Sequence, residues 1–218
     1  MAMSAAVTPD GTSGQLVDSG AFVLYAGGEE VGTEEFTIRR QGTGEAQVTA
    51  ATGTLRLHDG RIVKTTLRLV GTSMVLDKYE VSVSGSDTLE VRVVRDGNRL
   101  RTRTVAPWGE QAREYPARAS TVVFDDGVAH QHFLLGALAE AYGAEARIHA
   151  VAPLVEMEEP PVQPDVGQET IEVAGERVET TRIRLSSDGG ARTAWFDGSG
   201  RLVRVTATRQ DFRAERLR

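Results

Sequence analysis

The feature that most constrains this chain is a two-residue alternation of apolar and polar side chains that runs from Ala21 to Val105. In one stretch, for example, Tyr79, Val81 and Val83 alternate with polar residues without a break. Such a pattern is typical of half-buried antiparallel strands, because successive side chains of a strand point to opposite faces. The dipeptide Asp-Gly, which favours tight hairpins, occurs six times. The sequence therefore predicts a mainly β fold built as a long antiparallel meander.

The alternation breaks once, over about residues 130–142. Leu134, Leu138 and Tyr142 recur there at every fourth position, which predicts one amphipathic α-helix. Because a sheet of many long strands coils instead of staying flat, we expect the meander to curl around this inserted helix. A single helix covers the concave face only in part, so we expect an apolar groove beside it.

The segment after the helix is rich in proline and glutamate. Three of its prolines, Pro160, Pro161 and Pro164, oppose a regular strand in the middle of a sheet. Together with the acidic residues Glu156, Glu158 and Glu159 they predict a solvated crossing loop in this stretch of residues 144–166.

The regular pattern fits one domain with a short segment at each side. Residues 1–17 are small, polar and glycine-rich and are predicted to be flexible. Residues 18–208 form the single β-sheet domain, and residues 209–218 a charged, frayed C-terminal tail. The first residues also fit a start codon placed on a mature chain whose export signal was removed. A periplasmic or cell-envelope location is therefore an expectation, and a cytoplasmic location stays open.

Charge and residue content exclude several classes of function. The net charge of −6 argues against general nucleic-acid binding. The absence of cysteine from the sequence excludes disulfides, thiol catalysis and cysteine-ligated metals. No apolar run reaches the length of a membrane span, so no transmembrane segment is predicted. Long open sheet edges would allow two copies to pair, which makes a dimer conceivable.

Arginines recur at alternate positions of one predicted strand, at Arg99, Arg101 and Arg103. A row of this kind could face an anionic group. The interpretation we favour is a solvated outer surface, stabilised by glutamates on neighbouring strands.

The order of several short segments carries a family resemblance. They are Gly20–Phe36 with its short hairpin, Ser120–Phe124 leading into Asp125, His130–Leu135 at the helix, Val151–Pro153, and Thr193–Asp197 followed by Gly200–Val203. Over about residues 18–208 the chain resembles the bacterial domains grouped with the Lol-type lipoprotein carriers. The resemblance implies an open half-barrel sheet plugged by a helix. It also implies a concave face that binds lipid acyl chains or other apolar ligands, usually in the periplasm.

The leading functional hypothesis is accordingly a binding protein that holds a lipid-like or other hydrophobic small molecule and needs no cofactor. Apolar residues that the alternation assigns to one face are the predicted groove lining. They are Phe36, Tyr79, Val81, Leu134, Leu138 and Trp195.

The alternative hypothesis is a zinc-dependent hydrolase of hydrophobic esters or phosphotriesters in the same cavity. His130 and His132 would share one face if their segment were extended, and His149 would supply a third ligand. If the helix begins before His130, the pair cannot chelate one ion. A passive structural or envelope-assembly module is a third class, with neither cavity nor metal.

Overall fold

The computed structural model describes residues 14–86, 88–143 and 145–217, with the backbone alone described at position 210. The prediction of a flexible segment at residues 1–17 therefore falls largely outside the described residues. Within the described ranges the chain forms sixteen strands and one α-helix. The strands are β1 (Gln15–Ala26), β2 (Glu29–Gln41), β3 (Val48–Leu57), β4 (Ile62–Val70), β5 (Val75–Ser84), β6 (Leu89–Asp96), β7 (Arg99–Ala106), β8 (Gly109–Pro116), β9 (Thr121–Val123), β10 (Ile148–Ala152), β11 (Met157–Val162), β12 (Asp165–Val173), β13 (Glu176–Ser187), β14 (Gly190–Phe196), β15 (Leu202–Ala207) and β16 (Phe212–Arg216).

Thirteen of these strands form one large antiparallel sheet. Its order is β12-β13-β14-β15-β16-β1-β2-β3-β4-β5-β6-β7-β8, so two meanders are joined where β16 pairs with β1. The sheet is not closed into a barrel and ends at β12 and β8. The predicted mainly β fold, an open half-barrel with one helix, is confirmed. Pairing of two copies through the open edges stays a prediction.

The chain between β8 and β12 forms the insert that covers part of the sheet. A 3-10 turn at His130–His132 runs directly into the helix α1 (Phe133–Tyr142), which confirms the predicted helix at about residues 130–142. The helix ends at Gly143, whose positive φ of 69° suits glycine. The helix connects the parallel strands β9 and β10, and β11 completes a second sheet of three strands. No helix within the described ranges is long and apolar enough to cross a bilayer.

The prediction of a solvated crossing loop in the proline-rich acidic stretch is wrong. This stretch contains β11, which pairs with β10, and Pro160 and Pro161 lie in β11. Prolines are tolerated there because β11 is an edge strand of the small sheet. Glu159 is buried and its carboxylate lies 2.9 Å from the Arg192 guanidinium. Glu159, which the sequence places in an acidic and proline-rich stretch, is therefore part of an internal ion pair.

Within the predicted frayed tail at residues 209–218, Phe212–Arg216 forms the strand β16. β16 lies between β15 and β1, and the Arg216 guanidinium donates to Asp18 at 2.9 and 2.7 Å. The segment forms a strand because buried and exposed residues alternate within it. Phe212 and Ala214 are buried, while Arg213 between them faces solvent. At the other side, β1 begins at Gln15, before the predicted domain boundary at residue 18.

The outer face of the β7–β8 hairpin is solvated, as predicted for the arginine row. Arg99 and Arg101 pair with Glu114, and Arg103 pairs with Glu110. Both glutamates lie on β8, the strand next to β7. These cations are balanced by their neighbours, which confirms the interpretation as an ion-paired surface.

Candidate functional site

A groove of about 800 Å³ opens at one end of the half-barrel. In a meander, every second hairpin lies at the same end of the sheet, so the β1–β2, β3–β4, β5–β6 and β7–β8 hairpins meet here. Each contributes apolar side chains to the walls. Examples are Val31, Leu57, Val63, Val83, Leu89 and Trp108. The groove is thus a product of topology, since four hairpins bring strand-end side chains together.

The insert supplies the floor of the groove through two short segments, Asp126–Val128 and Leu154–Val155. The buried carboxylate of Asp125 ties these segments to the sheet. It accepts hydrogen bonds from the Leu154 backbone N–H at 2.8 Å and from the Tyr79 hydroxyl at 2.6 Å. The Asp125 N–H in turn donates to the Gln131 side chain at 2.8 Å. Asp125 therefore fixes the floor relative to β5 through its carboxylate and relative to the turn before the helix through its backbone N–H.

Burial changes the acid–base properties of this anchor. Loss of hydration raises the pKa of Asp125 to about 6, and the hydrogen bonds from Tyr79 and Leu154 only partly oppose that shift. Burial, followed by the negative charge of Asp125, raises the pKa of Tyr79 well above its ordinary value. The tyrosine is thus a stable hydrogen-bond donor, whereas the aspartate changes protonation state near neutral pH.

A second buried carboxylate, Glu34 on β2, holds the start of the 3-10 turn. Its Oε2 accepts from the backbone N–H groups of Ala129 at 2.7 Å and His130 at 3.3 Å. Its Oε1 contacts Nδ1 of the His130 ring. The ring fits because Gly53 on β3 lacks a side chain, since a Cβ there would lie 2.5 Å from His130 Cε1. Phe36 stacks on the other side, with ring centroids 6.1 Å apart.

His132 is held in its neutral form by a different environment. Burial and the positive charge of Arg192 lower the pKa of His132 to about 3. Its Nδ1–H donates to the carbonyl oxygen of Ala129 at 3.1 Å, and its ring stacks on Phe124 at 4.6 Å between centroids. The side chain thus behaves as a packed aromatic ring with one hydrogen bond.

The three predicted zinc ligands do not form a shared site. Both ring nitrogens of His149 are engaged, Nδ1 with the Thr121 hydroxyl at 3.0 Å and Nε2 with Glu158 at 2.9 Å. His130 and His132 lie in a 3-10 turn, where residues two apart point in different directions, and the prediction assumed an extended segment. Among the described residues, no group of three histidine, aspartate or glutamate side chains is placed to hold a metal ion. The residues present do not fit the zinc centre.

The predicted lining residues lie elsewhere than the groove. Phe36, Tyr79, Val81, Leu134 and Leu138 are buried in the main core. Their faces were predicted correctly, but the insert covers this part of the sheet completely.

Trp195 lies on the opposite face of β14 from the main core. It packs against a small separate cluster that includes Ile171 and Val203, and its indole N–H donates to Glu169 at 3.0 Å. Its neighbours Ala194 and Phe196 face the core instead. The alternation in β14 therefore excludes Trp195 from the concave face. The actual lining could have been found from the sequence by counting hairpins, because strand-end residues beside alternate turns must lie together.

Comparison of the chain with protein-family models, with curated proteins and with solved structures finds no match. The functional argument therefore rests on the groove and on the side chains around it.

Proposed function

We propose that this chain is a binding protein that holds a lipid-like or other hydrophobic small molecule in the groove at the open end of the half-barrel. The observation that carries the proposal is the groove itself. Its volume of about 800 Å³ lies within the range of small-molecule sites. Its walls combine apolar side chains from four hairpins, which would contact an alkyl chain or a ring system from several sides.

The exposed indole of Trp108 supports the same function. Trp108 lies at the mouth of the groove and is 72% exposed. Large aromatic side chains that remain exposed beside an apolar cavity are characteristic of binding surfaces, because a ligand can bury them. Binding would therefore cover Trp108 together with the partly exposed wall residues Val31 and Leu57.

The floor supports binding because hydrogen bonds within the protein hold it in place. Asp125 and Glu34 fix the chain on both sides of Asp126–Val128 through hydrogen bonds to backbone and side-chain groups. A preformed floor lowers the ordering cost of binding. The resemblance to Lol-type carriers supports a lipid-like ligand and a periplasmic or cell-envelope location, and both belong to this proposal.

The test uses the two tryptophans as internal reporters, with N-phenyl-1-naphthylamine as an apolar probe. We expect saturable binding in which probe and ligand alter the emission of Trp108. Trp195→Phe, which retains Trp108, should keep this response. Trp108→Phe, which retains only the tryptophan on the opposite face, should lose it.

A charge placed in the groove provides the second arm of the test. Leu57→Arg should abolish probe binding, whereas Val94→Arg, at an exposed position of β6 away from the groove, should leave it unchanged. Circular dichroism verifies that both variants are folded. Absence of saturable binding to the parent protein, or equal binding by the two arginine variants, would overturn the proposed function.

A further inference from the structure

The charged side chains at the mouth of the groove are predominantly acidic. Four carboxylates line it, from Glu29, Glu30, Asp59 and Asp126, against the single arginine Arg61 and the imidazole of His58. All the wall residues between them are apolar or aromatic. The ligand-facing charge of this site is therefore negative.

Two of the four carboxylates are balanced by arginines. Asp59 forms an ion pair with Arg61 at 2.7 Å. Asp126 lies 3.2 Å from the guanidinium of Arg209 and 3.8 Å from that of Arg192. These pairs are part of the scaffold of the mouth and contribute little net charge.

Glu29 and Glu30 carry the unbalanced charge. They are adjacent at the start of β2, directly after the Gly27–Gly28 turn. The imidazole of His58 lies 3.7 Å from Glu30, and in the described part of the chain neither glutamate has a lysine or arginine partner. Both side chains are exposed beside the groove opening. A positive group at the mouth would gain two carboxylates without displacing an existing cation.

We propose that the ligand is a cationic amphiphile, with an apolar tail in the groove and an amine or quaternary ammonium head at Glu29 and Glu30. This inference rests on the proposed function and adds the charge of the ligand to it. The exposed indole of Trp108 at the same mouth offers a π face, which attracts such a head group. An anionic head group would instead meet two uncompensated carboxylates.

The expected size of the preference follows from the exposure of the two glutamates. Exposed ion pairs are weak and screened by salt, so the cationic amphiphile should bind about tenfold more tightly than an anionic one at low ionic strength. The ratio should shrink as the salt concentration rises. A neutral amphiphile with the same tail should fall between the two.

The experiment displaces N-phenyl-1-naphthylamine from the full chain with three decyl compounds used below their micelle concentrations. Decyltrimethylammonium, decanol and decanoate share one tail and differ in head-group charge. The series is measured at about 0.01 M and about 0.3 M ionic strength. The double variant Glu29→Gln, Glu30→Gln should lose most of the cationic preference, expressed as the ratio of the affinities for decyltrimethylammonium and decanol.

Glu35→Gln is the matched control, because Glu35 is exposed on the outer face of β2 and should leave the preference unchanged. If the probe does not bind to the parent protein, the proposed function fails. If probe and decanol bind but decanoate binds as tightly as decyltrimethylammonium, the function stands and the cationic ligand is overturned. A preference that survives the double variant would overturn the assignment to Glu29 and Glu30.

Discussion

Two parts of the concave face are built from the same strands, but one part is packed core and the other is an open groove. Under the 3-10 turn and α1, Phe36 and Tyr79 are fully packed, and we refer to this part as the covered half. Towards the β1–β2 hairpin the same strand β2 carries Val31, which stays partly exposed in the groove. On β3, Ala51 is fully buried and Leu57, on the same face, is partly exposed in the groove. The reach of the insert therefore decides where core ends and binding site begins.

The covered half also contains the buried polar groups, whereas the groove walls are apolar. Glu34 on β2, and Asp125 and His132 in the insert, each have hydrogen bonds or stacking partners. Buried polar groups are costly unless paired, so the covered half depends on its hydrogen bonds as much as on its packing. The groove walls should tolerate substitution far better. Four predictions test this contrast.

The largest effect is expected from Glu34→Ala. The change leaves the backbone N–H groups of Ala129 and His130 and the His130 ring without their acceptor in a buried site. We expect a loss of about 3–5 kcal/mol in the free energy of unfolding. The neighbouring change Glu35→Ala, on the exposed face, should leave stability nearly unchanged. Urea denaturation measures both, and similar losses in the two variants would contradict the role of Glu34.

The next largest difference between the covered half and the groove is expected in the stability lost when a leucine side chain is truncated. Leu138 on α1 is 1% exposed in the main core, whereas Leu57 lines the groove and is partly exposed. Leu138→Ala should cost about 2–5 kcal/mol through lost contacts and a new cavity. Leu57→Ala already borders open space and should cost about 1 kcal/mol. Equal losses in denaturant unfolding would show that the groove wall is packed as tightly as the core.

Two buried groups of the covered half, Asp125 and His132, should make opposing contributions to the pH dependence of the free energy of unfolding. The folded pKa of Asp125, about 6, lies above its ordinary value of 3.8. The folded state therefore holds its proton more tightly, and this contribution is full below pH 3.8 and lost as pH rises through 6. The folded pKa of His132, about 3, lies below its ordinary 6.5. Its contribution is full above pH 6.5 and lost as pH falls towards 3.

Single variants should expose each contribution, which is worth about 2 kcal/mol near pH 4.5. His132→Phe keeps a stacking ring but cannot be protonated, so stability should fall less on acidification from pH 7 than in the parent protein. Asp125→Asn removes the opposing group, so stability should fall more. Denaturant unfolding at the two pH values measures both slopes. Parallel curves for the parent and both variants would contradict these pKa shifts.

The smallest effect on stability is expected when the groove is filled. Val31→Phe adds a ring to a wall that borders open space, so unfolding should change by less than about 0.5 kcal/mol. Binding of N-phenyl-1-naphthylamine should weaken by roughly tenfold, equivalent to about 1.4 kcal/mol. A large loss of stability would mean that this wall is already close-packed. Unchanged binding would place the ligand elsewhere.

Much of the fold could be predicted because its signals are local. The alternation in β5 and the four-residue spacing of Leu134 and Leu138 depend only on nearby positions. The missed elements depend on distant partners. β11 accepts Pro160 and Pro161 only because it is an edge strand, and β16 becomes ordered only because β1 and β15 lie on either side.

The candidate site was harder to predict because alternation identifies a face of a strand and not a position along it. Ala51 and Leu57 share one face of β3, yet Ala51 lies in the core while Leu57 lines the groove. The position of the folded insert over the sheet decides between these two environments, and the alternation of a strand carries no information about that position. The predicted histidine ligands do not converge for a related reason, since residues two apart point to one side in a strand but in different directions in the 3-10 turn that holds His130 and His132.

The pairing of β16 with β1 has a consequence for how the chain folds. The contact between Arg216 and Asp18 spans 198 positions, so the two meanders join only after β16 has been translated. Until then one edge of β1 has no partner strand. The hairpins that form the groove walls are translated before the β1–β16 pairing, which we call the seam, can form. High contact order of this kind slows folding and prolongs the exposure of strand edges. The seam, rather than any hairpin, is therefore expected to be the slow step in reaching the native sheet.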